Sequence, residues 1–112
     1  MKEIDWSSLS FGYMKTDYNV RCWYRNGAWG EIEVSSEETL NIHMAATCLH
    51  YGQEAFEGLK AYRCPDGKVR VFRMDENAAR LQSSCRGIMM PELPTELFEE
   101  MVTKVVRMNE AY

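Results

Sequence analysis

The first β-hairpin of the chain is predicted by strand-forming residues around a tight turn. Residues 20–25, VRCWYR, favour strands and are followed by Asn26-Gly27, the strongest short hairpin signal in a sequence. On the return strand, residues 29–34, acidic side chains alternate with apolar ones, so one face should be wetter than the other. A short strand is predicted next over residues 40–42.

A second hairpin is predicted in the middle of the chain. A short helical turn over residues 51–56 should lead into a strand that runs to Arg63. Residues 64–67, CPDG, have the composition of a tight turn whose glycine takes a positive φ. In the return strand, residues 68–73, the two valines share one face, and an arginine and a phenylalanine share the other.

An amphipathic helix follows this hairpin. Asp75 is a favourable N-cap, and Gly87 is a candidate C′ residue near the end of the helix. The buried stripe of this helix is predicted to contain Leu81, Cys85 and Ile88.

A second helix completes the predicted fold. It follows a linker with two prolines and begins with Thr95 as its cap. Its apolar face is predicted to contain Leu97, Met101, Val105 and Met108. Hairpins followed by amphipathic helices predict an α+β fold, a two-layer sandwich of a mostly antiparallel sheet with helices on one side.

Composition narrows the class of protein. The chain has 112 residues, enough for one domain, with 46% hydrophobic and 27% charged residues, as in soluble globular proteins. Its net charge of −4 argues against a nucleic-acid partner. No apolar run reaches the roughly 20 residues that cross a bilayer. The first ten residues lack the apolar segment of a signal peptide, so a cytoplasmic location without a membrane partner is expected.

No metal site is predicted from the cysteines and histidines. The four cysteines are scattered without a C-x-x-C pair, and they lack the ligand spacing of a zinc site with the two histidines. We therefore expect reduced, mostly packed cysteines. His43 is interpreted as a structural histidine that is held by a hydrogen bond.

Arg80 is the residue most indicative of binding chemistry. It lies in the first turns of a predicted helix, where the helix dipole favours anions and disfavours cations. The position is favourable if an anion binds there, because backbone N–H groups and a guanidinium then converge on it.

Three pairs of motifs resemble those of the branched-chain aminotransferases, which are class IV pyridoxal-phosphate enzymes. They are LSFG with TD (residues 9–12 and 16–17), HY with FEGLKAY (residues 50–51 and 56–62), and VFR with NxxR (residues 71–73 and 77–80). The resemblance runs from about Leu9 to the end of the chain. It implies that residues 1–112 are the N-terminal part of a small domain of fold type IV, truncated before the domain is complete.

The resemblance also assigns candidate site residues. It implies that pyridoxal phosphate binds through its phosphate to Arg80. The substrate-binding candidates are Phe11, Tyr51, Phe56, Gly58 and Lys60. Without the resemblance, core packing is an equally good interpretation of Phe11, and Lys60 is as well explained as a solvated strand lysine. The large domain, with the lysine that forms the Schiff base, has no counterpart here, so no catalytic residue is assigned and the isolated chain is expected to be inactive.

The expected activity is that of the intact enzyme. It would move an amino group between leucine, isoleucine or valine and 2-oxoglutarate, as a homodimer in which Tyr51 reaches the partner's site. Two alternatives remain open. One is another class IV enzyme, such as a D-amino acid aminotransferase or an aminodeoxychorismate lyase, and the other is a non-catalytic binding module. The FG…TD and HYGQEAFEGLKAY segments favour the branched-chain group.

Overall fold

A computed structural model describes residues 1–112 and has an α+β architecture with antiparallel strand pairs, as predicted. The strands are β1 (Asn19–Arg21), β2 (Tyr24–Arg25), β3 (Ala28–Trp29), β4 (Glu33–Ser35), β5 (Ala61–Arg63) and β6 (Val69–Val71). The helices are α1 (Thr47–His50), α2 (Met74–Gly87) and α3 (Thr95–Met108). The strands form three separate two-stranded sheets and not the one sheet expected, because the first hairpin is divided into two ladders and the second hairpin pairs only with itself.

The chain divides into two compact units. The first contains Met1–Leu40 and Met101–Tyr112, and the second contains Asn41–Glu100. None of the helices is both long and apolar enough to cross a membrane.

The predicted first hairpin is confirmed, with an interruption. Asn26 and Gly27 have φ of 53° and 80°, the left-handed pair of a type I′ turn, and β2 pairs with β3 beside them. The rings of Tyr24 and Trp29 meet edge to face across this pair, with centroids 5.1 Å apart. Between this ladder and the β1–β4 ladder, two residues on the outgoing side face three on the return side. This extra residue is a bulge, and the sequence alternation did not reveal it.

The second hairpin forms around the predicted turn. Gly67 has a φ of 81°, and its N–H donates to the Cys64 carbonyl at 2.9 Å. Asp66 accepts hydrogen bonds from the Arg70 guanidinium at 2.9 and 2.7 Å, which lower the pKa of the Asp66 carboxyl. The two valines of β6 are half-buried and Arg70 between them is exposed, which confirms the predicted faces.

The start of α2 differs from the prediction. The N-cap is Arg73, with a left-handed φ of 49° and no side-chain capping bond. Asp75 is instead the second residue of the helix. Its negative charge still lies at the end of the helix dipole that favours anions.

The end of α2 was predicted at the right place but with the wrong capping residue. Gly87 is the last helical residue, and Met89 takes the left-handed C′ position with a φ of 59°. The Met90 N–H donates to the Cys85 carbonyl at 2.9 Å, and the Met89 N–H donates to the Arg86 carbonyl at 3.3 Å. These are the two bonds of a Schellman motif. Gly87 is therefore not the C′ residue.

The structure differs from the sequence prediction at three further places. No strand forms over residues 40–42. The predicted helical turn at 51–56 is replaced by α1 directly before it, because Gly52 has a φ of 62° and cannot continue a right-handed helix. At α3, the Pro94 carbonyl accepts the Phe98 N–H at 2.9 Å, so Pro94 holds the N-cap position and Thr95 does not.

The core is small and lies in the second unit. The buried residues are Ala78 and Cys85 on α2 and Phe98 on α3. Cys85 was predicted, whereas Ala78 carries little hydrophobic signal. Phe98 is a neighbour of the predicted α3 stripe but was not part of it. On α2, Leu81 is half-buried and Ile88 is exposed, so the predicted stripe is confirmed only in part.

The predicted face of α3 is likewise confirmed in part. Leu97, Met101 and Val105 are half-buried, and Met108 is exposed at the end of the helix.

Candidate functional site

Arg80 projects from the second turn of α2 and is held by one carboxylate. Its Nε lies 3.0 Å from both oxygens of Glu57, and its Nη2 also donates to Glu57 Oε1. Glu57 comes from the irregular segment between α1 and β5. The side chain of Arg80 is nevertheless 70% exposed, while that of Glu57 is only 6% exposed.

Glu57 is also bound by a second residue of the same helix. Asn77 lies one turn before Arg80, and its amide Nδ2 donates to Glu57 Oε1 at 2.8 Å and to the Gly58 carbonyl at 3.1 Å. The hydrogen bonds from Arg80, and then those from Asn77, lower the pKa of the Glu57 carboxyl, although burial opposes them. The same pair raises the pKa of Arg80. Both side chains are therefore charged at neutral pH.

This arrangement leaves one side of the guanidinium available. The contacts with Glu57 use Nε and Nη2 of Arg80. The third nitrogen, Nη1, makes no hydrogen bond within the chain. A guanidinium is planar, so fixing two of its nitrogens also fixes the direction of the third. An exposed, permanently charged donor of this kind suits a phosphate or a carboxylate.

Glu57 and Asn77 were not predicted from the sequence to be parts of this cluster. Two signals could have found them. Asn77 precedes Arg80 by three residues, a spacing that places side chains on the same helix face. Glu57 is a charged residue between Phe56 and Gly58, and a carboxylate in such a segment needs a partner when it is buried.

The candidate substrate-binding residues are exposed. Phe11 lies in the first unit and its side chain is fully exposed, so it is not the core residue that packing alone would suggest. In the second unit, Tyr51 and Phe56 are 84% and 89% exposed, and Gly58 and Lys60 are also exposed. Gly58 lies beside the Phe56 ring, since a Cβ at Gly58 would be 3.5 Å from it. Phe56 and Gly58 are the chain neighbours of Glu57, and the Gly58 carbonyl also accepts a hydrogen bond from Asn77.

Tyr51 lies at a separate shallow depression in the second unit. This depression is lined by Thr47, Tyr51, Gly52, Gln53 and Ile88. The Gln53 amide donates to the Ile88 carbonyl at 2.8 Å and accepts from the Thr47 hydroxyl at 2.6 Å. Arg80 does not line it, so the structure does not bring Tyr51 and Arg80 into one pocket.

The cysteines form no disulfide, and His43 makes a hydrogen bond to the backbone. All four cysteines are free thiols, and only Cys85 is buried. His43 Nδ1 accepts the Ala45 N–H at 3.0 Å, which confirms the interpretation of this residue as a hydrogen-bonded structural histidine.

No protein-family model matches the chain. Individual curated proteins do, and they are aminotransferases. The chain is 46% identical over 110 residues to a branched-chain-amino-acid aminotransferase of Haemophilus influenzae, an alignment that covers 98% of the chain and 32% of that protein. It is 43% identical over 112 residues to a branched-chain-amino-acid aminotransferase of Helicobacter pylori, covering 100% of the chain and 33% of that protein. It is 36% identical over 106 residues to the aminotransferase atnJ of Emericella nidulans, covering 95% of the chain and 29% of that protein.

The resemblance to the branched-chain aminotransferases that the sequence motifs indicate is therefore confirmed over the whole chain. The chain spans about a third of the length of the curated relatives it matches.

Proposed function

We propose that residues 1–112 are the N-terminal part of the small domain, of fold type IV, in a pyridoxal-phosphate-dependent branched-chain aminotransferase. The observation that carries this proposal is the identity of 43–46% to two branched-chain aminotransferases over nearly every residue of the chain. The α+β architecture with antiparallel hairpins is compatible with such a domain.

Arg80 is the residue that would hold the cofactor, by its phosphate. The chemistry of the site fits an anion, since the guanidinium is 70% exposed and Nη1 has no partner within the chain. Arginine–phosphate contacts are charge-assisted and stronger than neutral hydrogen bonds. When bound, pyridoxal phosphate supplies the electron-withdrawing ring that stabilises charge on the substrate's α-carbon. The role of Arg80 is to fix that ring by its phosphate.

The substrates proposed for the intact enzyme are leucine, isoleucine or valine and 2-oxoglutarate. The exposed rings of Phe11 and Phe56 are available to contact an apolar substrate side chain, as ligand pockets are lined mostly by apolar and aromatic groups. Tyr51, Gly58 and Lys60 complete the proposed substrate-binding set. The proposal includes a homodimer, because a tyrosine as exposed as Tyr51 suits an interface with its polar tip at a wet edge. It also includes a cytoplasmic location, which the polar first ten residues favour.

A transaminase with a different amino-acid substrate is the second candidate. The match to the Emericella nidulans protein keeps this candidate open, because that relative is named an aminotransferase with no substrate specified. The motif segments and the higher identity to the branched-chain aminotransferases favour the first candidate, and measured donor specificity decides between the two.

The cofactor part of the proposal is tested by the affinity of the full-length enzyme for pyridoxal phosphate. Arg80→Ala should weaken it about tenfold or more, the expected loss for one charge-assisted contact. Arg80→Lys should recover only part, because a planar fork becomes a point charge. Arg86→Ala is the matched control, since Arg86 is also exposed on α2 and paired with one carboxylate, Glu92. Unchanged affinity in a folded Arg80→Ala enzyme would contradict a phosphate site at Arg80.

A further inference from the structure

We propose that Glu57 is a positioning residue for the phosphate of the cofactor: it holds Arg80 so that the free side of the guanidinium is presented to the anion. The inference rests on the proposed function, because it needs a phosphate at Arg80. It concerns a residue for which the sequence motifs alone gave no role.

Several hydrogen bonds from α2 converge on one carboxylate, that of Glu57. Both oxygens of Glu57 accept from Arg80 Nε at 3.0 Å. Its Oε1 also accepts from Arg80 Nη2, and it accepts from Asn77 Nδ2 at 2.8 Å. Both donors come from one face of α2. Glu57 is therefore anchored to the helix itself, and the orientation of Arg80 is fixed relative to the helix axis.

Glu57 and Arg80 also differ sharply in burial. The Glu57 side chain is 6% exposed and that of Arg80 is 70% exposed. A shielded carboxylate has to keep its hydrogen-bond donors, because an unpaired buried charge is costly. The Glu57 carboxylate therefore holds the inner side of the Arg80 guanidinium, while the outer side of the guanidinium faces solvent. A side chain that is already ordered loses less conformational entropy when a ligand binds.

The opposite role for Glu57 would be competition. A carboxylate beside Arg80 reduces the net positive charge that a phosphate meets, and like charges repel. The geometry favours positioning. Glu57 binds Nε and Nη2 of Arg80 and leaves Nη1 open, and Asn77 donates a further hydrogen bond to the Glu57 carboxylate. The two roles predict opposite effects of removing Glu57, so one binding experiment separates them.

The test measures dissociation constants of full-length enzyme for pyridoxal phosphate and for pyridoxal, which lacks the phosphate. Glu57→Ala should weaken pyridoxal phosphate binding about tenfold and leave pyridoxal binding within about twofold, because only the phosphate uses Arg80. Glu57→Gln should be intermediate, since its amide oxygen can accept from Arg80 but its NH₂ group cannot. It also keeps the test possible if Glu57→Ala does not fold. Glu76→Ala, which removes an exposed carboxylate paired with Arg73 on the same helix, should change neither constant.

A purely structural role for Glu57 would weaken both ligands alike and would overturn the inference. Unchanged or tighter binding of pyridoxal phosphate in the Glu57 variants would also overturn it, provided that Arg80→Ala weakens binding. In that case the phosphate site at Arg80 stands and only the positioning role fails. If Arg80→Ala has no effect on pyridoxal phosphate, the phosphate site itself is wrong and the inference falls with it.

The coupling between the two residues gives an independent readout. In an Arg80→Lys background, Glu57→Ala should cost much less affinity for pyridoxal phosphate than in the wild-type background, because an ammonium group has no planar fork to orient. Equal losses in both backgrounds would contradict positioning through Arg80.

Discussion

Asn109 and Tyr18 exchange two hydrogen bonds although they lie 91 residues apart in the chain. The Tyr18 N–H donates to Asn109 Oδ1 at 3.0 Å, and Asn109 Nδ2 donates to the Tyr18 carbonyl at 2.9 Å. The side-chain amide thus satisfies both backbone groups of one residue, as a neighbouring strand would. It joins the residue after α3 to the segment before β1 within the first unit.

Asn109→Ala should lower the free energy of unfolding of the chain by about 1–2 kcal/mol, because it removes both bonds to Tyr18. Asn109→Asp should not rescue the loss, since a carboxylate cannot donate to the Tyr18 carbonyl. Urea denaturation measures both changes. Asn41→Ala, an exposed asparagine with no side-chain hydrogen bond, is the control and should change stability by less than about 0.5 kcal/mol. An Asn109→Ala chain as stable as the wild type would contradict this role for Asn109.

Two glycines should respond in opposite directions to alanine. Gly67 has a φ of 81° in the β5–β6 turn, where an L-residue is strained, so Gly67→Ala should destabilise the chain by about 1 kcal/mol. Gly87 is the last residue of α2, has no positive φ and has open space where a Cβ would lie. Gly87→Ala should therefore stabilise the chain by up to about 1 kcal/mol, because alanine has the higher helix propensity. Urea midpoints that shift in the same direction for both variants would contradict the two backbone assignments.

Acid should weaken the contribution of Glu57 to stability. Arg80 lowers the pKa of the folded Glu57 carboxyl below its ordinary value of 4.5, so this stabilisation is complete above the unfolded pKa and is lost as the pH falls through the folded pKa. The difference in unfolding free energy between wild type and Glu57→Gln should be constant from about pH 7 to about pH 5 and should shrink below about pH 4.5.

Urea denaturation of both chains across this pH range measures the difference. The hydrogen bond from Lys2 lowers the pKa of Asp17, and that from Arg70 lowers the pKa of Asp66. Both carboxylates are present in both chains, so their contributions cancel. A difference that stays constant to about pH 3 would show that the charge of Glu57 is not stabilised by Arg80.

The sequence predicted the elements whose signals are local. Asn26-Gly27 identified the first hairpin and residues 64–67 the second, because a type I′ turn or a glycine with positive φ depends on the few residues within it. The two long helices, α2 and α3, were also located, but their caps were not. Gly87 marks the end of α2, but the left-handed C′ position is taken by Met89 two residues later, which composition does not indicate.

The Glu57–Arg80 pair could not be predicted because it joins residues 23 apart from different elements. The motifs identified Arg80, but periodicity says nothing about which irregular segment crosses the face of α2. The bulge in the first hairpin was missed for a related reason. The alternation of acidic and apolar residues on the return strand continues through the bulge, and only the pairing register reveals it.

The most direct test of the central claim is amino transfer by the full-length enzyme loaded with pyridoxal phosphate. Glutamate formation from 2-oxoglutarate should be measured with leucine, valine and alanine as donors. A pocket with an apolar wall gains about 0.8 kcal/mol per added methylene, so kcat/KM for leucine should exceed that for alanine by at least about tenfold. The account predicts rapid glutamate formation with leucine and valine. No glutamate with any donor, or equal kcat/KM for leucine and alanine, would contradict it.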